Sequence, residues 1–288
     1  MLPNYSILHK QDIFITEKYE PDIRRDELSF LSRSFERHFN ERPYLHHACY
    51  LFLTKTTKER SRQQSNWNTL CRGFLVPKEI RDKETVERFM EAVGQFESIV
   101  NDSGLIRLER LTTEEITGTE NEPGIIERYL TLSADGTTML QDMQLNPDEM
   151  RIGDKRLCLH TLSDLDDLPG KVRTDGRYER LSTDRSDCRL SYAAPVGVML
   201  PCDHIYNQWI FIDDSNENLS RFEKAAKNMQ SLSRYSRSNQ INKEWLDEYL
   251  NEAHTNGLQS VRCHCNIIAW AENGDELRRV KNDVGSAL

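Results

Sequence analysis

The stretch VRCHCNIIAWA, Val261 to Ala271, sets two thiols and an imidazole within three residues. Such residue types can ligate a soft metal ion or act as a nucleophile and its base. Their chemistry depends on where they point. Residues 259–271 read as a strand, in which alternate side chains face opposite ways. Cys263 and Cys265 then share a face with Val261, Ile267 and Ala269, whereas His264 lies on the other with Arg262, Asn266, Ile268 and Trp270. Structural zinc more often takes C-x₂₋₄-C pairs in turns, so the two thiols read as small buried hydrophobes. In the run His46-His47-Ala48-Cys49 the neighbouring histidines diverge in the same way, and the chain has no H-E-x-x-H helix motif. No metal is expected.

Nucleotide and nucleophile motifs are missing too. A P-loop needs two glycines five apart, followed by Lys-Ser/Thr, so that backbone N–H groups cradle phosphates. The chain's one Gly-Lys pair, Gly170-Lys171, is followed by Val172, with Leu165 five before the glycine. There is no G-x-G-x-x-G and no G-x-S-x-G. Acids cluster at Asp164, Asp166 and Asp167 beside a Pro-Gly turn, and at Asp213-Asp214 before a predicted helix. Both read as solvated or helix-capping carboxylates rather than an acid/base pair. No catalytic, cofactor-binding or metal-ligating residue is assigned, and no enzyme activity is expected of these residues.

Two basic segments are candidates for binding through charge. Lys55-Thr-Thr-Lys-Glu-Arg-Ser-Arg62 has four cations to one acid, with Trp67 near in sequence. Ser233 to Gln240, extended to 243, joins two predicted helices. Loops 55–62 and 233–243 supply the alternative reading, a nucleic-acid-binding module, although a solvated loop and a plain connector explain them as well. The whole chain carries a formal net charge of −9, which argues against a general nucleic-acid coat. The charge is uneven. Residues 1–75 hold 12 Lys+Arg against 9 Asp+Glu, and 112–187 hold 9 against 17. The 7 cysteines, odd in number and scattered, fit reduced thiols in a cytoplasmic protein. No run approaches the ~18–20 apolar residues that span a bilayer, and no segment reads as a signal peptide.

The elements that would position these residues begin with a strand over 5–15 and a helix over 26–41, with Leu28, Leu31, Phe35 and Phe39 at helical steps. Strands follow at 44–54 and about 70–77, then a helix over 84–102 striped by Val86, Phe89, Met90, Val93, Phe96, Ile99 and Val100 and stopped near Gly104. A short strand, Leu105–Leu111, completes a β-α-β-β-α-β order. The fold class expected is α+β: a mixed, largely antiparallel sheet with helices on one face and a split βαβ, ferredoxin-like first part over 1–111. Residues 112–187 read as an acidic insertion or elaborated connection. Residues 188–288 read as β-α-α-β-α with strands at 188–200 and 204–213, helices at 217–232 and 239–256, and a last helix from about 274 still running at Leu288.

Five runs carry a resemblance: SFLSRSFERHFNERP (29–43), CYLFLTKTTKER (49–60), EMRIGDKRLCLHTLSD (149–164), LSTDRSDCRLSYAAPVG (181–197) and SRYSRSNQINKEWLDEYLNEAH (233–254). They resemble the N-terminal region of TraG-type conjugative-transposon ATPases, the motors of type IV secretion-like conjugation machines. The resemblance extends over almost the whole chain and includes no catalytic signature. It implies a docking and assembly region, cytoplasmic and peripheral to the inner membrane, whose partners are inner-membrane channel components. It also implies a longer protein with a P-loop ATPase domain beyond the position of Leu288, self-associating when whole and contributing to DNA transfer. The family's nucleotide-binding residues have no counterparts here, so no cofactor is carried over.

Overall fold

The computed structural model describes residues 2–19, 29–40, 42–58, 81–120, 122–132, 142–146, 150–161, 176–179, 182–190, 197, 200–232 and 235–287. The second strand expected at about 70–77, Arg60, Arg62, Trp67 and the acids at 164–167 lie outside them. The fold class is α+β, with a seven-stranded antiparallel sheet. In chain order the main elements are β1 (Ser6–Glu17), α1 (Phe30–Asn40), β2 (Tyr44–Lys55), α2 (Lys83–Asp102), α3 (Thr113–Thr117), α4 (Ile125–Thr131), β3 (Met143–Leu145), β4 (Met150–Ile152) and β5 (Lys155–Thr161). A two-residue pair β6 (Gly176–Arg177) and β7 (Arg189–Leu190) follows, then β8 (His204–Ile212), α5 (Ser215–Leu232), α6 (Arg237–Asn256), β9 (Val261–Ala271) and α7 (Gly274–Ala287). The sheet order is β2-β1-β8-β9-β5-β4-β3.

Within residues 112–187, β3, β4 and β5 form an antiparallel run, and β5 pairs with β9 from Arg156↔Ala271 to Thr161↔Asn266. The acidic middle therefore supplies three strands of the sheet. Leu105–Leu111, expected as a strand, has no regular secondary structure. One of its residues is bonded locally instead: the Asn101 side chain accepts from Leu108 N (2.7 Å) and donates to Leu108 O (3.4 Å).

The chain divides into two compact units. The first comprises Met1–His9, Leu51–Glu109 and Trp209–His264. In it α5 packs on α6 through an edge-to-face pair, Phe222 with Tyr249 at 5.6 Å, and His254 Nε2 lies 3.3 Å from the Glu223 carboxylate. Helix α2 starts at Asp82, whose carboxylate accepts from Thr85 N (3.0 Å), and α6 ends at Gly257, which holds the left-handed conformation (φ 61°). His9 of β1 stacks on Trp209 of β8 at 3.6 Å and on Phe52 of β2 at 5.3 Å.

The second unit comprises Lys10–Tyr50, Arg110–Gln208 and Cys265–Leu288. Strand alternation divides its apolar residues into two clusters. One gathers Cys158, Tyr206, Ile267, Ala269 and Ala271 with Leu277, Val280 and Val284 of α7; the other gathers Ile13, Ile205 and Trp270 with Leu132. Residues of opposite parity on β9 thus enter different clusters, as an extended strand requires.

Candidate functional site

In β1 a carboxylate sits among apolar neighbours. Asp12, nearly inaccessible, shares a strand face with Phe14 and meets Lys10, His47 and Cys49. His47 Nε2 lies 2.9 Å from Asp12 Oδ1, and Lys10 Nζ donates to Oδ2. Burial opposes ionisation of Asp12, but hydrogen bonds from Lys10, His47 and Cys49 outweigh it and hold the carboxyl below the usual range. Phe14 stacks on His47 at 4.4 Å and on His204 of β8 at 4.6 Å. His204 is fully enclosed, its ring nitrogens 2.7 Å from the Cys202 carbonyl and 2.6 Å from the Gly197 carbonyl. Gly197 fits only without a side chain, because an added Cβ would lie 2.4 Å from the Tyr206 ring.

A cysteine, a histidine and an aspartate in one cluster invite comparison with a nucleophilic triad, but the bonding differs. In an activated pair the histidine takes the thiol proton and the carboxylate orients the histidine. Here imidazole and thiol both bond the Asp12 carboxylate. Loss of hydration and then the charge of Asp12 push the Cys49 thiol up to about 11. At neutral pH such a thiol is almost entirely protonated and a poor nucleophile. Cys202, also packed among apolar atoms and near Asp203, is pushed up to about 12. Cys49 and Cys263 are both exposed, and alkylation by iodoacetamide at pH 7.5, followed by peptide mass spectrometry, is expected to label Cys263 before Cys49. Cys49 should lag by about two orders of magnitude in rate and gain speed as pH rises toward 11.

The opposite parity of the same strands builds a concave site. Ile13 and Ile15 of β1, Ala48 of β2, Ile205 of β8 and Trp270 of β9 wall a cavity of about 110 Å³. Helix α4 closes it with Ile125, Arg128 and Leu132, spaced so that they fall on one side of a helix. The position of α4 follows from local chemistry. Gly118 and Gly124 approach so closely that a Cβ on Gly124 would lie 2.3 Å from Gly118 N, and Glu127 accepts from Gly124 N at 3.1 Å. Leu132 ends the helix in the left-handed conformation (φ 51°), and Lys155 of β5 donates to its carbonyl. Burial of the Leu132 side chain offsets that strain.

The sequence candidates divide on this framework. Cys265 packs against the α7 cluster and Cys263 is exposed, so only the first behaves as a small core residue. Among the described residues no group of three or more His, Cys, Asp or Glu gathers as metal ligands would. Asp214 caps α5, accepting from Asn216 N and Glu217 N, as the capping reading expects, whereas Asp213 is buried and pairs with Arg262 at 2.5 Å instead. Of the first basic loop, Lys55 donates to the Asn4 carbonyl beneath the Tyr5 ring, and Lys58 pairs with Glu217 at 2.7 Å. Residues 237–243 of the second basic segment form the first turns of α6, with Lys243 bonded to Asp247 at 2.9 Å. Sequence reading passed over Asp12, His204 and Arg128. A lone Asp inside the run QDIFI was a usable signal for the first; nothing local marks the other two.

Helix α1 has an unusual orientation. An apolar stripe at helical spacing ordinarily faces a core. Here Phe30, Leu31 and Phe35 are 83%, 78% and 64% exposed, and no residue of the helix is buried. The less exposed positions are Ser32 and Glu36, on the polar side. Phe39 holds the stripe together, with its ring 4.6 Å from Phe35 and 5.6 Å from Tyr19.

Comparison with protein-family models finds no match to this chain, and comparison with curated protein sequences finds none either.

Proposed function

We propose that this chain is a non-catalytic docking and assembly domain of a TraG-type conjugation ATPase, working at the cytoplasmic side of the inner membrane through contacts with channel components. Such a domain contributes to DNA transfer by positioning the motor, and it acts with other copies of the longer protein. The observation that carries the reading is the outward apolar face of α1. Contiguous exposed apolar patches of a few hundred Å² on a folded chain mark interaction sites. An amphipathic helix presenting residues at i, i+4 and i+8, here Leu31, Phe35 and Phe39, suits an apolar groove on a partner. The protonated thiols at Cys49 and Cys202 agree with a task done by surfaces rather than reactive groups. Among the described residues no helix is long and apolar enough to cross a membrane, so contact with the membrane-embedded machinery is assigned to partners. The alternative, a nucleic-acid module gripping through the 55–62 and 233–243 segments, draws less support because Lys55, Lys58 and Lys243 each have a partner within the chain.

The test is co-purification of tagged protein with the inner-membrane channel components of a conjugation machine. Leu31→Glu together with Phe35→Glu is expected to lower capture at least about tenfold, since burying each such side chain contributes about 1.5–3 kcal/mol. The exposed positions make the fold tolerant, so urea midpoint and circular dichroism should stay unchanged. Equal capture of the double variant and the unaltered protein removes the docking assignment from α1.

A further inference from the structure

The cavity beside α4 has a size and a charge that select a ligand. A dry cavity of ~150 Å³ lined by Leu, Ile and Phe admits benzene, so about 110 Å³ suits a branched group of four or five carbons. The walls offer that group aliphatic contacts and the Trp270 ring, and the lining is more apolar than polar. Polar side chains also line the site, Glu17, His46, Arg128 and Tyr50 among them.

Their bonding settles which head group fits. Glu17 Oε2 already accepts from the Tyr44 hydroxyl at 2.9 Å and lies 3.7 Å from His46 Nδ1, so it has partners within the chain. Arg128 donates through Nε to the Pro123 carbonyl at 3.2 Å, while its terminal nitrogens meet no acceptor among the described residues. A guanidinium anchored by Nε, with its terminal N–H groups presented beside an apolar cavity, matches a carboxylate, which takes two parallel N–H bonds.

We infer that this cavity binds a branched aliphatic carboxylate, with the hydrocarbon among Ile13, Ile15, Ala48 and Ile205 and the carboxylate on Arg128. Two sources share that chemistry: a free short branched acid, and the C-terminal leucine or valine of a polypeptide. The inference is independent of the docking reading, whose surface is α1.

Titration followed by heteronuclear NMR, with 4-methylpentanoate as probe, is expected to give saturable shifts with a millimolar dissociation constant, as suits a ligand of so few atoms. Ala48→Leu, which fills the cavity, should weaken binding at least about tenfold. Arg128→Gln alters an exposed residue and leaves the cavity intact. It should weaken the acid about tenfold while leaving the neutral isostere 4-methylpentanol unaffected. Acetyl-Gly-Gly-Leu as the free acid, compared with its C-terminal amide, separates the sources. A tripeptide acid bound tighter than 4-methylpentanoate assigns the site to polypeptide termini, and the reverse order assigns it to the small acid. The proposal is overturned if no acid binds saturably, if Ala48→Leu binds as the unaltered protein does, or if Arg128→Gln leaves acid and alcohol equally affected.

Discussion

Replacing His204 by alanine is expected to lower the unfolding free energy by about 3–5 kcal/mol, read as a fall in the urea midpoint with an unchanged slope. Three losses combine. The ring nitrogens of the enclosed imidazole face the Cys202 and Gly197 carbonyls, a neutral ring donates to one of them, and removing the ring leaves that carbonyl without its partner. The volume it vacates lies against Phe14, whose ring then loses one of its two stacking partners. Gly197 also loses its contact with the first residue of β8. His204→Phe keeps the ring and most of the volume but no donor, and its expected cost is about half as large. If His204→Phe were as costly as His204→Ala, the carbonyl bonds would be the dominant loss. If it cost nothing, they would be unimportant.

Asp12→Ala should be the second most damaging of these changes, about 2–3 kcal/mol at pH 7. The side chain is 4% exposed, whereas Lys10 and His47 are 41% and 46% exposed. Those two can recover hydration when the carboxylate is removed, which holds the cost below that of breaking a fully buried pair. The effect carries a pH signature. The folded carboxyl ionises below its ordinary value of 3.8, so its contribution is fully present above that value. As pH falls below 3.8 and through the lower folded value, the contribution disappears. Urea midpoints of the unaltered protein and Asp12→Ala should therefore differ at pH 7 and converge in acid. A constant gap down to the acid transition would mean that Asp12 acts through packing alone. Asp12→Ala should also speed alkylation of Cys49, because the negative neighbour that raises the thiol is gone.

These two positions show where sequence reading stops. Local patterns carried most elements: the stripe from Val86 to Val100 marks a helix that runs Lys83–Asp102, and the acid at Asp214 marks the start of α5. Parity also carried through. The expectation that Cys265, Ile267 and Ala269 face away from Ile268 and Trp270 holds, because an extended backbone leaves a side chain no other choice.

Where local pattern and tertiary context disagree, context wins. Leu105–Leu111 has the composition of a strand but pairs with none of the described strands, and the Asn101 amide bonds the backbone of Leu108 instead. The stripe of α1 has a core-facing period, yet Phe30, Leu31 and Phe35 point to solvent. Periodicity shows that a helix has two unlike sides and says nothing about which side meets the protein.

What the chain's own order of residues determined, then, is the kind and span of most elements, the two faces of each strand, and the lack of P-loop and nucleophile-elbow motifs. Only the tertiary structure decided that Asp12, His47 and Cys49 share one cluster, that the His204 ring sits between carbonyls at Cys202 and Gly197, and that residues as distant as Ile13 and Trp270 enclose a cavity beside Arg128. The reason is the range of the forces involved. Helical and extended periods arise between residues a few positions apart, whereas sites arise from the order and register of strands far apart in sequence, set by packing across the whole sheet.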